Sequence, residues 1–302
     1  MARSLKSRVV ERIIKKRGTK EQIADPEKFK DYLRQKQLDN SKRYVMPEEI
    51  RKEYGFVEQH RNGMDCYVLT RNKGRIRQKQ ILYLHGGGYF NQPLHEHWRF
   101  LYQLAGQMDV TITVPIYPKA PHHRYTEAFN RVLPLYLEMR SRTAAQDMVV
   151  MGDSAGGGFS LALAQLLLQE NLPQPGNIIL LSPWLDLSMN SPLIPKLEPK
   201  DPMLAAYGMR EMGRIWAGRE DVSHFLLSPL RGPLQGLGRI SVFVGTREIL
   251  LADARALKKR ADRLQVPINY FEYDKMNHVF PVYPIPEAKQ ALRQIAALIQ
   301  NS

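Results

Sequence analysis

Residues 148–157 read Met148-Val149-Val150-Met151-Gly152-Asp153-Ser154-Ala155-Gly156-Gly157. A short apolar run of strand character passes, through one serine, into a long apolar pattern of helical length at 155–170. The pentapeptide Gly152 to Gly156 has the spacing G-x-S-x-G. A serine at such a junction sits on a sharp, strained turn with its hydroxyl pushed clear of the sheet edge. Gly152 and Gly156 remove Cβ atoms where neighbouring strand and turn come close. The helix that follows aims its first N–H groups at whatever the serine meets. The pentapeptide also recurs by chance, so its surroundings decide its meaning.

Working outward, strand-like runs fall at 56–60, 64–69, 80–84, 110–114, 148–151, 177–181, 240–244 and 268–273. Helical patterns lie between them near 95–107, 125–140, 155–170, 250–265 and 286–299. Two opening strands followed by strand–helix alternation predict an α/β fold, a mostly parallel eight-stranded sheet with helices on both faces. Residues 1–54 read as a separate helical segment and 55–302 as the main domain. The proline-rich stretch 185–225, with a helix near 207–217, interrupts the alternation and reads as an insertion. With residues 1–54 it is expected to cap the strand ends.

The second signal is His85-Gly86-Gly87-Gly88-Tyr89, directly after the strand Ile81-Leu82-Tyr83-Leu84. Three glycines at a strand end leave backbone N–H groups free to face a developing negative charge. Those of the glycine loop, joined by the N–H of Ala155 after the serine, are the expected donors. The glycine spacings of nucleotide-binding loops are absent, which argues against a phosphate cradle. His85 reads as a loop anchor, and Tyr89 and Asp153 are expected to contact substrate.

A serine nucleophile needs a base, and on this scaffold the chain order is serine, acid, histidine. Only His224 and His278 follow Ser154. His224 falls in the insertion, whereas His278 follows the last strand, in Met276-Asn277-His278-Val279-Phe280. His278 is the expected base. Three carboxylates compete as the acid: Glu248, in the loop after Ser241–Val244; Asp253, in the first turn of the next helix; and Asp186, after the preceding strand. Glu248 has the best position, with the other two open. The pair His95 and His97 has a metal-like spacing but no further ligand cluster, so it reads as capping a helix or edging a pocket. No metal and no cofactor is expected.

The chain has 302 residues, 43% hydrophobic and 25% charged, which suits one large globular domain, or one domain with a lid. The single cysteine, Cys66, excludes an internal disulfide and reads as a partly buried strand residue of a cytoplasmic protein. No apolar run is long enough to span a membrane. Of the net charge of +14, +11 falls in residues 1–80, where 22 Lys and Arg face 11 Asp and Glu. These cations lack aromatic interleaving, so a solvated face is expected and no nucleic-acid partner. Leu5, Val9 and Ile13 repeat every fourth residue among basic side chains. They are expected to face the pocket or its rim as part of the cap, with contact to a membrane surface as the alternative.

Together, His85-Gly86-Gly87-Gly88, Gly152-Asp153-Ser154-Ala155-Gly156-Gly157, Ser182-Pro183-Trp184-Leu185-Asp186-Leu187 and His278-Val279-Phe280 resemble the hormone-sensitive-lipase-like family of α/β-hydrolase carboxylesterases. The likeness runs from about residue 55 to the C-terminus. It implies Ser154 as nucleophile, His278 as base, Gly87, Gly88 and Ala155 as oxyanion donors, and a helical cap. Two segments depart from the family pattern. Its Asp-Pro-Leu-x-Asp motif is here Glu248-Ile249-Leu250-Leu251-Ala252-Asp253. Its Tyr-Arg-Leu-Ala-Pro-Glu segment is here Tyr117-Pro118-Lys119-Ala120-Pro121-His122, a change expected in the pocket wall. The expectation is a serine esterase for short- to medium-chain esters, monomeric or dimeric. Lactone or amide hydrolysis would use the same parts, and a binding-only receptor is disfavoured by the presence of both Ser154 and His278.

Overall fold

The computed structural model describes residues 3–71 and 79–301. Four helices come first: α1 (Leu5–Lys16), α2 (Thr19–Ala24), α3 (Pro26–Asn40) and α4 (Glu48–Tyr54). The eight strands are β1 (Val57–Arg61), β2 (Met64–Arg71), β3 (Lys79–Leu84), β4 (Val110–Pro115), β5 (Met148–Asp153), β6 (Asn177–Leu181), β7 (Arg239–Arg247) and β8 (Ile268–Asn277). They form one sheet in the order β1-β2-β4-β3-β5-β6-β7-β8. Pairing is antiparallel for β1–β2 and β2–β4 and parallel for the rest. The connecting helices are α5 (His95–Ala105), α6 (Tyr125–Ser141), α7 (Ala155–Gln169), α8 (Ile194–Leu197), α9 (Ala206–Ala217), α10 (Leu251–Arg263) and α11 (Pro286–Gln300).

The unbroken apolar character of β5 follows from this layering. Val149 and Met151 pack on one side with α5 and α11, while Met148 and Val150 pack on the other with α6 and α7. A strand covered on both faces has no polar side to alternate. Helix α7 likewise buries Phe159, Leu161, Leu163 and Leu167 together, because sheet and neighbouring helices surround it.

The sheet order also locates the site. From β3 the chain passes outward to β4, then returns across β3 to β5 and proceeds the other way. Loops leaving β3 and β5 therefore diverge, and a crevice opens at their carboxyl ends. Leu84 pairs with Gly152, so the glycine loop after β3 lies beside the serine turn after β5.

Above this crevice α2 packs on α9. A Cβ at Gly208 would lie 2.4 Å from the Ile23 carbonyl, so only glycine permits that approach. Helix α4, by contrast, packs on α5 at the flank of the sheet. The orientation of α1 is a correction. Leu5, Val9 and Ile13 are 76%, 52% and 50% exposed, and the buried face carries Ser7, Glu11 and Ile14. Polar anchors decide this. Glu287 of α11 accepts from the Ser4 N–H at 2.7 Å, and Arg247 pairs with Glu11 at 3.0 Å. Spacing shows that a helix is two-sided, but not which side its neighbours cover.

Candidate active site

Ser154 occupies the turn between β5 and α7 with φ 52° and ψ −121°, a strained combination for a residue bearing a Cβ. Neighbouring backbone holds it there. Its N–H donates to Leu181 O at 2.8 Å, and its carbonyl accepts from Trp184 N at 2.9 Å. A Cβ at Gly156 would lie 1.9 Å from the Leu84 carbonyl, so the turn can approach β3 only with glycine at that position.

His278 stands at the end of β8, which continues to Asn277, four residues beyond the expected strand. Its Nε2 is 2.9 Å from Ser154 Oγ, and its Nδ1 is 2.6 Å from Glu248 Oε2. Strand β7 is also longer than its apolar run, so Glu248 follows it directly. The other carboxylate oxygen, Oε1, accepts from Gly245 N at 2.8 Å and from Ser182 Oγ at 2.7 Å. A register shift in β7–β8 between Gly245 and Arg247 lies beside this contact, as bulges often do near functional sites. All three side chains of the series are nearly inaccessible. Burial opposes a charge on His278. The Glu248 carboxylate, reinforced by Asp201 and Asp153, outweighs it and holds the imidazole above the usual histidine range.

The competing carboxylates are engaged elsewhere. Asp253, in the first turn of α10, accepts from the N–H groups of Leu185 and Asp186 at 2.9 and 3.0 Å. Burial, with Asp186 nearby, pushes its pKa up to about 7. Asp186 accepts from Ser188 N at 2.9 Å and lies 3.5 Å from Arg231. Neither carboxylate is in contact with His278.

Gly87 and Gly88, with φ of 110° and 64°, line the same cavity as Ser154 and His278. Ala155 opens α7, so its N–H has no acceptor within the helix. Asp153 ties these parts together. It accepts from Tyr83 Oη at 2.6 Å and Gly86 N at 2.9 Å, and its other oxygen lies 3.2 Å from His97 Nε2. Burial alone would raise the Asp153 pKa, but His97, Tyr83 and the Gly86 N–H hold it below the usual value. Asp153 reaches the cavity wall, yet these partners occupy both of its oxygens. His97 Nδ1 accepts from Leu94 N at 2.9 Å, while His95 Nε2 meets Tyr54 Oη at 3.1 Å. The two histidines thus diverge, one capping α5 and one at the cavity rim. Among the described residues no group of three His, Cys, Asp or Glu could hold a metal ion.

Tyr89 is a correction. It is buried, takes φ 67°, and stacks on Trp216 of α9 at 4.5 Å, and it is not among the cavity's lining residues. The positive φ that turns the glycine loop also seats this ring in the core below the cap. The segment Tyr117–His122, expected in the pocket wall, lies behind the loop. Tyr117 donates to the His85 carbonyl at 2.7 Å and stacks on the His85 ring at 4.6 Å. Lys119 is buried there, and desolvation brings its pKa down to about 7.

The cavity holds about 550 Å³. Ser154 and His278 lie at its base. Ile23, Leu204, Met209 and Met212 form an apolar side, and Ile14, Arg17 and His95 extend towards the opening. Two residues outside the expected set organise it. Ser182 donates to Glu248 and accepts from Val279 N at 3.0 Å, bracing the segments that carry acid and histidine. Asp201 accepts from Met203 and Leu204 N–H groups and from Ile249 N, joining the insertion to the Glu248 loop. Burial, only partly countered by His278, pushes the Asp201 pKa up to about 6.

A nucleophile-like serine, a histidine and a carboxylate in hydrogen-bonded series beside a glycine loop can carry out acyl transfer. The relatives agree with this chemistry. A family model for the alpha/beta hydrolase fold matches residues 81–282. An "Esterase" of Acinetobacter venetianus is 31% identical over 229 residues, covering 72% of this chain and 73% of that protein. An "Acetyl-hydrolase" of Streptomyces hygroscopicus is 27% identical over 227 residues, 74% of this chain and 76% of its own. A crystal structure of an esterase from the bacterial hormone-sensitive lipase family superposes with TM-score 0.84 at 26% identity, covering 100% of this chain and 99% of that one. The chain belongs to the α/β-hydrolase fold family, among the hormone-sensitive-lipase-like carboxylic ester hydrolases.

Proposed function

We propose that the protein cleaves short- to medium-chain carboxylic esters through a Ser154–His278–Glu248 triad and an acyl-enzyme intermediate. The observation that carries this reading is the unbroken series from Glu248 Oε2 through His278 to Ser154 Oγ at the base of the cavity. His278 Nε2 takes the Ser154 proton as Oγ attacks the ester carbonyl. Glu248 holds Nδ1–H and stabilises the imidazolium. The carbonyl oxygen becomes an oxyanion facing the N–H groups of Gly87, Gly88 and Ala155. Collapse breaks the C–O bond, and the leaving alcohol takes the proton from Nε2. A water molecule, deprotonated by the same nitrogen, then attacks the acyl-enzyme. Collapse breaks the acyl C–Oγ bond, Ser154 Oγ recovers the proton from Nε2, and the carboxylic acid leaves.

Cap and crevice support the chain-length part of the proposal. The apolar side formed by Met209, Met212, Leu204 and Ile23 suits a hydrocarbon acyl group, and the enclosed volume suits one of limited length. Cytoplasmic residence belongs to the same proposal, supported by a sequence with a single, buried cysteine, Cys66. The test is kcat/KM on p-nitrophenyl esters from acetate to palmitate. A maximum between two and about eight acyl carbons is expected. A maximum at palmitate, or turnover of lactones or anilides exceeding that of every ester, would overturn the substrate assignment.

A further inference from the structure

We propose that the outward face of α1 docks the enzyme on an anionic lipid–water interface. The face is built from Leu5, Val9 and Ile13, which lie one above another at four-residue spacing and are 76%, 52% and 50% exposed. Three large aliphatic side chains in register, with none of the described residues covering them, form a patch of the kind that marks an interaction site.

The charges around it select the occupant. Arg8, Arg12 and Lys15 flank the apolar line on one side and Lys6 on the other, and Lys16 stands at its end; all are exposed. The only acidic residue of α1, Glu11, points inward to Arg3, Lys15 and Arg247. An apolar line with cations on its flanks and no exposed carboxylate complements acyl chains below a plane of anionic headgroups. It is a poor match for single-stranded nucleic acid, since the stripe holds no aromatic ring on which a base could stack, and the apolar line would find no partner on a duplex backbone of phosphates.

The C-terminal end of the same helix reaches the cavity. Ile14 and Arg17 line it, as does the half-exposed Leu94 at the start of α5. Helix α1 therefore lies between an interface and the cavity, with Arg17 and Leu94 on the shared rim. Docking would bring the opening next to esters dissolved in the lipid phase. The surface is separate from the cleavage chemistry, so binding and turnover can fail independently.

Sedimentation of the full-length protein with vesicles tests this. One set is phosphatidylcholine alone and the other phosphatidylcholine with phosphatidylglycerol, each at low and high salt. The variants are Leu5→Ser/Val9→Ser/Ile13→Ser and Arg8→Gln/Arg12→Gln/Lys16→Gln. Substitutions on exposed positions leave the fold intact, which circular dichroism verifies. The unaltered protein should partition at least about tenfold more strongly to the anionic vesicles and lose that preference at high salt. Each triple variant should bind at least about tenfold more weakly while hydrolysing a water-soluble acetate ester at the original rate. Ser154→Ala protein should bind as the unaltered enzyme does. Absence of anionic preference, or unchanged partitioning in the apolar triple variant, would overturn the proposal. So would conversion of a dimer to a monomer by that variant without any vesicle binding, which would assign the face to a second copy of the chain.

Discussion

The Ser182 hydroxyl donates to Glu248 at 2.7 Å while accepting the Val279 N–H at 3.0 Å. One side chain at the end of β6 thereby fixes the carboxylate on one side of the imidazole and the backbone following it on the other. All three residues are buried, so water cannot replace either bond. Ser182→Ala should cost about 1–2 kcal/mol in transition-state stabilisation, roughly tenfold in kcat with little change in KM. Steady-state kinetics on one soluble ester check this. A change in KM alone would mean that Ser182 shapes substrate binding and does not position the acid.

Glu248 both orients His278 and raises its proton affinity, so a single substitution should show two effects. Glu248→Gln should lower kcat by about 10³–10⁴. The pH profile should move as well. His278 acts as a base only when neutral, and its pKa lies above the ordinary histidine value despite burial. The acid limb of kcat/KM should therefore rise above pH ~6.5 in the unaltered enzyme. Removing the carboxylate charge should move that limb to lower pH in the variant. A limb that stays in place would show that another group controls it.

Asp253 is expected to affect stability more than rate. Its carboxylate accepts two backbone N–H groups through one oxygen, so asparagine can keep both bonds. Burial raises its folded-state pKa to about 7, well above the unfolded value. The folded state thus holds a proton that the unfolded chain releases, and stability falls as pH rises from about 4 to about 7. The loss across that window is of order 4 kcal/mol at most. Asp253→Asn should remove this dependence, so denaturant midpoints of the two proteins should diverge in the variant's favour as pH rises. Turnover should change far less than in Glu248→Gln, and the same holds for Asp186→Asn.

The order of elements was legible because β5 and α7 are buried on every side, leaving apolar runs with no polar phase to misread. The convergence of Ser154 and His278 was legible from chain order, since only two histidines follow the serine. Glu248 was less so. Strand β7 outruns its apolar core by several residues, which blurred where the loop begins, and Asp253 differs from Glu248 only in what it touches across the sheet. Tertiary partners decide the remainder. Nothing in the spacing of Leu5, Val9 and Ile13 announces that Glu287 and Arg247 anchor the opposite face. The ring of Tyr89 goes where a left-handed backbone and Trp216 send it. Ser182 reaches segments 66 and 97 residues away and Asp201 one 48 residues away through hydrogen bonds, a kind of link that leaves no local pattern.

The central claim is that Ser154 carries the acyl group. Rapid acid quench of the enzyme during turnover of p-nitrophenyl butyrate, followed by intact-mass and peptide mass spectrometry, tests it most directly. The account predicts a butyryl adduct on Ser154 that builds during turnover, is cleared when substrate is exhausted, and is absent from folded Ser154→Ala protein whose turnover has fallen by several orders of magnitude. An adduct on another residue, or a folded Ser154→Ala protein that retains near-original turnover, would contradict it.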